Sequence, residues 1–125
     1  MSIMYFIIDT KIYNMDYIGK CYCGKCKYTV KETPKEIARC YCENCKILHG
    51  GEYSEFSKYH QDEIDISECY HLKYLRSSNK AIRGFCGLCN KFLFMIYDSS
   101  ENIWIYVNTL NIDKNNIETY DIYKQ

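Results

Sequence analysis

The stretch "CYCGKC" at residues 21–26 returns as "CYCENC" at residues 40–45, and "FCGLCN" at residues 85–90 adds the pair Cys86 and Cys89. Two thiol triplets and one further pair form a metal-ligand pattern. Zinc takes thiolates at about 2.3 Å in a tetrahedron; structural sites fill all four positions and catalytic sites leave one open. In an extended segment residues i and i+2 point to one side, so Cys21 with Cys23, and Cys40 with Cys42, can each offer two sulfurs to one ion. C-x-x-C reaches the same end through a tight turn, with Gly87 after Cys86 and Asn90, which tolerates left-handed geometry, after Cys89. Cys86 and Cys89 can complete either triplet, or all eight sulfurs can share a two-metal cluster. Spacing does not choose between these.

The rest of the composition fits a small metalloprotein. A chain of 125 residues with 47% hydrophobic and 16% aromatic residues supports one packed domain, which buries roughly two-thirds of its unfolded surface. Sixteen basic residues balance sixteen acidic ones, and a neutral chain without a basic stripe makes a poor nucleic-acid groove. The apolar run in "MSIMYFIIDTK" is short and lacks the flanks of a signal peptide, and no segment approaches the length of a membrane span. Of nine cysteines, eight lie in C-x-C or C-x-x-C clusters. That usage indicates a reduced, cytoplasmic metalloprotein rather than a disulfide framework.

Patterning favours strands. "CKYTVK" alternates Cys26, Tyr28 and Val30 against Lys27, Thr29 and Lys31, and "EIDIS" repeats the alternation with Ile64 and Ile66. "FLFMIY" and "IWIYV" are β-branched and aromatic runs, and "DSSEN" at 98–102 between them predicts a hairpin. Trp104 is expected in the core. "ENCKILHGG" predicts one short helix with Cys45, Leu48 and His49 on a face and Gly50 or Gly51 at its end. The fold class is therefore mostly β, a single small domain of antiparallel sheets.

Four blocks read together: "GKCYCGKCKY" at 19–28, "CYCENCKILHG" at 40–50, "YLRSSNKAIRGFCGLCNKFLF" at 74–94 and "VNTLN" at 107–111. In this order they resemble the glutathione-dependent formaldehyde-activating enzymes, a family of carbon–sulfur lyases with a zinc-stapled β-tent fold. The resemblance implies a structural zinc on Cys21, Cys23, Cys86 and Cys89, and a second zinc on Cys40, Cys42 and Cys45 with a position left open for substrate sulfur. It thus implies two zinc ions per chain and glutathione as the small thiol partner, acting on S-(hydroxymethyl)glutathione. Residues 19–125 then form the family domain, with 1–18 an N-terminal extension packed on it. The oligomeric state stays open, a homodimer included.

Tyr41 stands where the family usually has His, Asn90 where it has Gly, and Asn108 where it has Gly before "TL". His49, four residues after Cys45, is the candidate proton carrier, its other reading being a helix C-terminal histidine favoured by the dipole. Glutathione carboxylates need cations, and Lys46, Arg76 and Arg83 lie near the motifs, though a solvated side chain is the commoner fate of such residues. Cys26 and Cys69 read as buried thiols. A non-catalytic zinc-stabilised binding module of the same fold is the alternative, with Cys26, Cys69 or His49 as fourth ligand of the second zinc.

Overall fold

The computed structural model describes residues 16–43, 46, 47 and 50–122. Among these, ten strands follow one another: β1 (Tyr17–Lys20), β2 (Lys27–Val30), β3 (Glu36–Cys40), β4 (Ser54–His60), β5 (Ile64–Asp65), β6 (Leu72–Arg76), β7 (Ala81–Cys86), β8 (Phe92–Tyr97), β9 (Asn102–Tyr106) and β10 (Glu118–Ile122). Short 3₁₀ turns cover Gln61–Glu63 and Val107–Thr109. Seven strands form one sheet in the order β10-β3-β4-β9-β8-β7-β6, and β1-β2-β5 form a second. The domain is mostly β, as its patterning predicts. One pair departs from the antiparallel expectation: β10 runs parallel to β3, with Ile122 beside Cys40, so the large sheet is mixed. Parallel pairing needs a long crossover, and its polar strand "ETYDI" gives no local sign of it.

The small sheet closes one face of the large one. Tyr28 and Val30 point inward from β2, and Cys26 just before it does the same, as the alternation predicts. They pack with Tyr59, Phe94, Ile103 and Ile105 of the large sheet. Burying that face by several large side chains contributes roughly 1.5–3 kcal/mol for each. A relay of hydroxyls fixes the two layers: Tyr28 donates to Thr109 Oγ1 at 2.6 Å, and Thr109 donates to the Tyr106 carbonyl at 2.8 Å.

The opposite face of the large sheet is apolar too. Residues 102–106 and 92–97 are near-continuous apolar runs because alternate side chains serve different faces. Ile103 and Ile105 belong to the first cluster, whereas Tyr106, Phe56, Phe92 and Cys40 form a second, with Phe85, Met95, Trp104 and Ile122 packed on it. The hairpin at 98–102 joins β8 to β9, its turn held by the Ser100 amide on the Tyr97 carbonyl at 3.1 Å.

Candidate metal centre and thiol site

Two hairpin loops bring four sulfurs together. Lys20 pairs with Lys27 at the end of the β1–β2 hairpin, so residues 21–26 are its loop. The Cys21 amide donates to the Cys26 carbonyl at 3.1 Å, and Gly24 turns the chain with φ +75°. Cys21 and Cys23 therefore share a turn rather than the extended segment expected for them. The second loop joins β7 to β8. There the Asn90 amide donates to the Cys86 carbonyl at 2.8 Å, and Asn90 holds φ +62°, the left-handed geometry its position anticipates. Gly87 is required by proximity: its amide donates to the His71 carbonyl at 2.6 Å, and a Cβ there would lie 2.7 Å from that oxygen.

Sγ of Cys21 lies 3.5 Å from Sγ of Cys23, and Sγ of Cys23 lies 3.7 Å from Sγ of Cys86. All four sulfurs of Cys21, Cys23, Cys86 and Cys89 fall within 4.8 Å of one another, a group that could hold a metal ion. Tetrahedral zinc with four sulfurs at about 2.3 Å sets them about 3.8 Å apart, so the donor set and its spacing fit zinc. Backbone amides already point at the sulfurs: Cys26 N–H at Cys21 Sγ and Leu88 N–H at Cys86 Sγ, both at 3.4 Å.

Those amides govern ionisation. Burial alone would raise the Cys21 thiol, but the Cys26 amide and the Cys23 thiol outweigh it and hold the group below its ordinary value. Burial is likewise overcome at Cys86 by the amides of Cys89 and Leu88, and at Cys89 by those of Cys23 and Lys91. Cys23 takes the opposite part. The Lys25 amide draws it down, but burial and the neighbouring thiols together push it up to about 12. Four crowded sulfurs without a cation cannot all ionise, and the crowding favours the thiol form at Cys23.

Cys40 and Cys42 of the middle triplet lie on the other side of the sheet. Cys40 ends β3, and its Sγ is 3.4 Å from Cys42 Sγ. A helical turn follows, with the Lys46 amide on the Cys42 carbonyl at 3.0 Å and the Gly50 amide on the Lys46 carbonyl at 2.9 Å. Gly50 closes it at φ +76°, as expected for a helix end. Cys45, Leu48 and His49 lie outside the described residues, as do residues 1–15 of the N-terminal extension. The Tyr41 ring packs on Tyr53 at 5.3 Å, and the Tyr41 amide donates to the Ile122 carbonyl at 3.1 Å.

Beside Cys40 opens a hollow of about 550 Å³, lined by Cys40, Phe56, Met95, Tyr97, Trp104 and Ile122. Trp104, expected in the core, is half-buried and lines this hollow. Met95 and Tyr97 were legible as the alternate residues of "FLFMIY"; Ile122 had no signal, because it reaches the site only through the parallel pairing. Cys26 and Cys69 form an antiparallel bridge in the first cluster with Cys21 and Cys86. Cys40 belongs to the second cluster, so the buried pair does not accompany it. Among the cations near the motifs, Arg76 is held by Asp98 at 2.9 and 3.0 Å, while Arg83 lies over the Phe92 ring at 5.4 Å.

Fold and sulfur geometry define a mostly β domain with one four-cysteine group able to hold a metal and a second pair of thiols, of which Cys40 lines an apolar hollow. The family described as glutathione-dependent formaldehyde-activating enzyme matches residues 16–125, and the chain belongs to it. Its match begins within the expected extension, one residue before β1. The crystal structure of a Rhodobacter sphaeroides protein, a Northeast Structural Genomics target, superposes with a TM-score of 0.65 at 16% identity, over 82% of this chain and 98% of that one. At that identity the likeness speaks to the fold alone. None of the curated proteins compared matches the chain. No described helix is long and apolar enough to cross a membrane.

Proposed function

We propose that the chain is a zinc-dependent carbon–sulfur lyase acting on a thiol–formaldehyde adduct such as S-(hydroxymethyl)glutathione. The observation that carries this reading is Cys40, which lines an apolar hollow with Cys42 Sγ 3.4 Å from its own sulfur, in a chain of this family. Cys40, Cys42 and Cys45 would hold one zinc, and Cys21, Cys23, Cys86 and Cys89 the other. Zinc bound by three cysteines keeps a thiol at its open position ionised near neutral pH.

In the lyase direction the C–S bond of the adduct breaks, its electron pair stays on sulfur, and the hydroxyl proton leaves as the formaldehyde C=O forms. His49 is the proposed acceptor of that proton. Phe56, Met95 and Trp104 would exclude water from the reacting carbon. The chemistry needs reduced thiols, which places the protein in a reducing compartment such as the cytoplasm. Tyr41, in place of the usual histidine, is the feature that favours the alternative of a binding module without catalysis.

NMR exchange between free formaldehyde and its glutathione adduct separates the two. Exchange accelerated by the chain, and lost in Cys40→Ser, is the expected result. Exchange at the uncatalysed rate, with glutathione still bound, would establish the binding module instead.

A further inference from the structure

A cross-strand row on the second face of the large sheet ends in two cations that the reaction as stated leaves unused. Arg83 on β7 stands opposite Met95 on β8, Met95 opposite Trp104 on β9, and Trp104 opposite Lys58 on β4. Directly opposed residues of antiparallel strands share a face, so a Met–Trp floor carries one cation at each end. Met95 and Trp104 also line the hollow beside Cys40.

These two cations differ from their neighbours. Lys114 is held by Glu55 at 2.6 Å and Arg76 by Asp98 at 2.9 Å. Arg83 and Lys58 have no carboxylate partner among the described residues. The Arg83 guanidinium lies over Phe92, and its Nε is buried without an acceptor. The Lys58 ammonium lies over the Trp104 ring at 5.9 Å. A buried guanidinium N–H lacking an acceptor is costly unless a ligand supplies one, and the planar fork of arginine fits a carboxylate.

We propose that Arg83 and Lys58 recognise the two carboxylates of a short, peptide-like thiol that lies across Met95 and Trp104. Its sulfur end rests on the thiol-site reading given above; its carboxylate ends do not. Three strand-to-strand steps place the Arg83 and Lys58 backbones about 14 Å apart. An extended three-residue chain spans about 10 Å, which two long side chains leaning over the rings can bracket. A thiol with one carboxylate engages one end only.

Trp104 is the chain's single tryptophan, so its fluorescence reports occupancy of the row directly. The full chain would be titrated with glutathione, with a glutathione analogue bearing methyl in place of the thiol, with glutathione diethyl ester, and with 2-mercaptoethanol. The thiol-less diacid is expected to bind, and the diester to bind about tenfold more weakly or worse. Arg83→Gln and Lys58→Gln should each weaken the diacid about tenfold, Arg83→Lys by less, and raising salt from about 0.05 to 0.5 M should weaken it further. Should Arg83→Gln misfold by losing its packing on Phe92, exposed Lys58 and the diester comparison decide alone.

Equal binding of diacid and diester overturns the proposal, as does unchanged affinity in the folded variants. A signal that follows chain concentration and none of the probes also overturns it, marking the face as an interface between copies. Equal binding of glutathione and the thiol-less diacid, both dependent on Arg83, keeps the row and removes the thiol site. Equal binding of 2-mercaptoethanol and glutathione, with Arg83→Gln silent, does the reverse.

Discussion

Cys86→Ser and Cys40→Ser remove chemically identical groups from equally buried places, 0% and 5% exposed, so their comparison isolates what each of the two proposed zinc ions would tie together. Cys23 and Cys86 are 63 positions apart. A cross-link closing a loop of that length removes about 4 kcal/mol of unfolded-chain entropy, against about 2 kcal/mol for the six-residue span of Cys40 to Cys45. The cost of burying a serine hydroxyl cancels between them. Cys86→Ser should therefore be the less stable variant by about 2 kcal/mol, a large part of the 5–15 kcal/mol typical of a domain. Urea unfolding of the zinc-loaded, reduced proteins measures this as a midpoint lower by about 1 M for Cys86→Ser, at a slope typical of small domains. Zinc content by elemental analysis accompanies each melt. Equal midpoints at equal zinc loss would refute the reasoning, for they would mean that the Cys21, Cys23, Cys86 and Cys89 group does not join the two hairpins through an ion.

Metal affinity of the four-cysteine group should rise with pH. Its Cys23 thiol, pushed up to about 12 without metal, is protonated at neutral pH and must lose that proton on binding. Chelator competition between about pH 6 and 8 should show the apparent association constant climbing at least tenfold per pH unit, and a flat profile would contradict the proton count. At Asn90, held at φ +62°, Gly should be tolerated at little or no loss, whereas Ala should cost about 1 kcal/mol in thermal or urea melts. Ala as stable as Asn would show that the turn relaxes out of the left-handed region.

The sequence signals that succeeded were local. Cys26, Tyr28 and Val30 alternate over a few residues and do point inward; Asn90 announces its backbone angle by its chemistry; "DSSEN" marks its hairpin. The pairing of Cys21 and Cys23 with Cys86 and Cys89 was not derivable from spacing and came from resemblance, because it depends on two hairpin loops meeting across the fold. The hollow was hidden for the same reason. Phe56, Trp104 and Met95 come from different strands, and only their register on one face makes them a wall. β10 was the least visible element: "ETYDI" is mostly polar, lies at the sheet edge and is half-exposed along its length.

The parallel strand has a kinetic consequence. β3, which ends in Cys40, has β4 as its nearby neighbour on one side, while its other side waits for β10 from the far end of the described chain. Contacts between distant segments form late, after shorter loops have closed. In the interval β3 is an open edge, with unpaired backbone groups that invite another chain. Assembly of the thiol site is thus a race between a slow intramolecular closure and aggregation through that same edge, and the outcome depends on protein concentration during refolding.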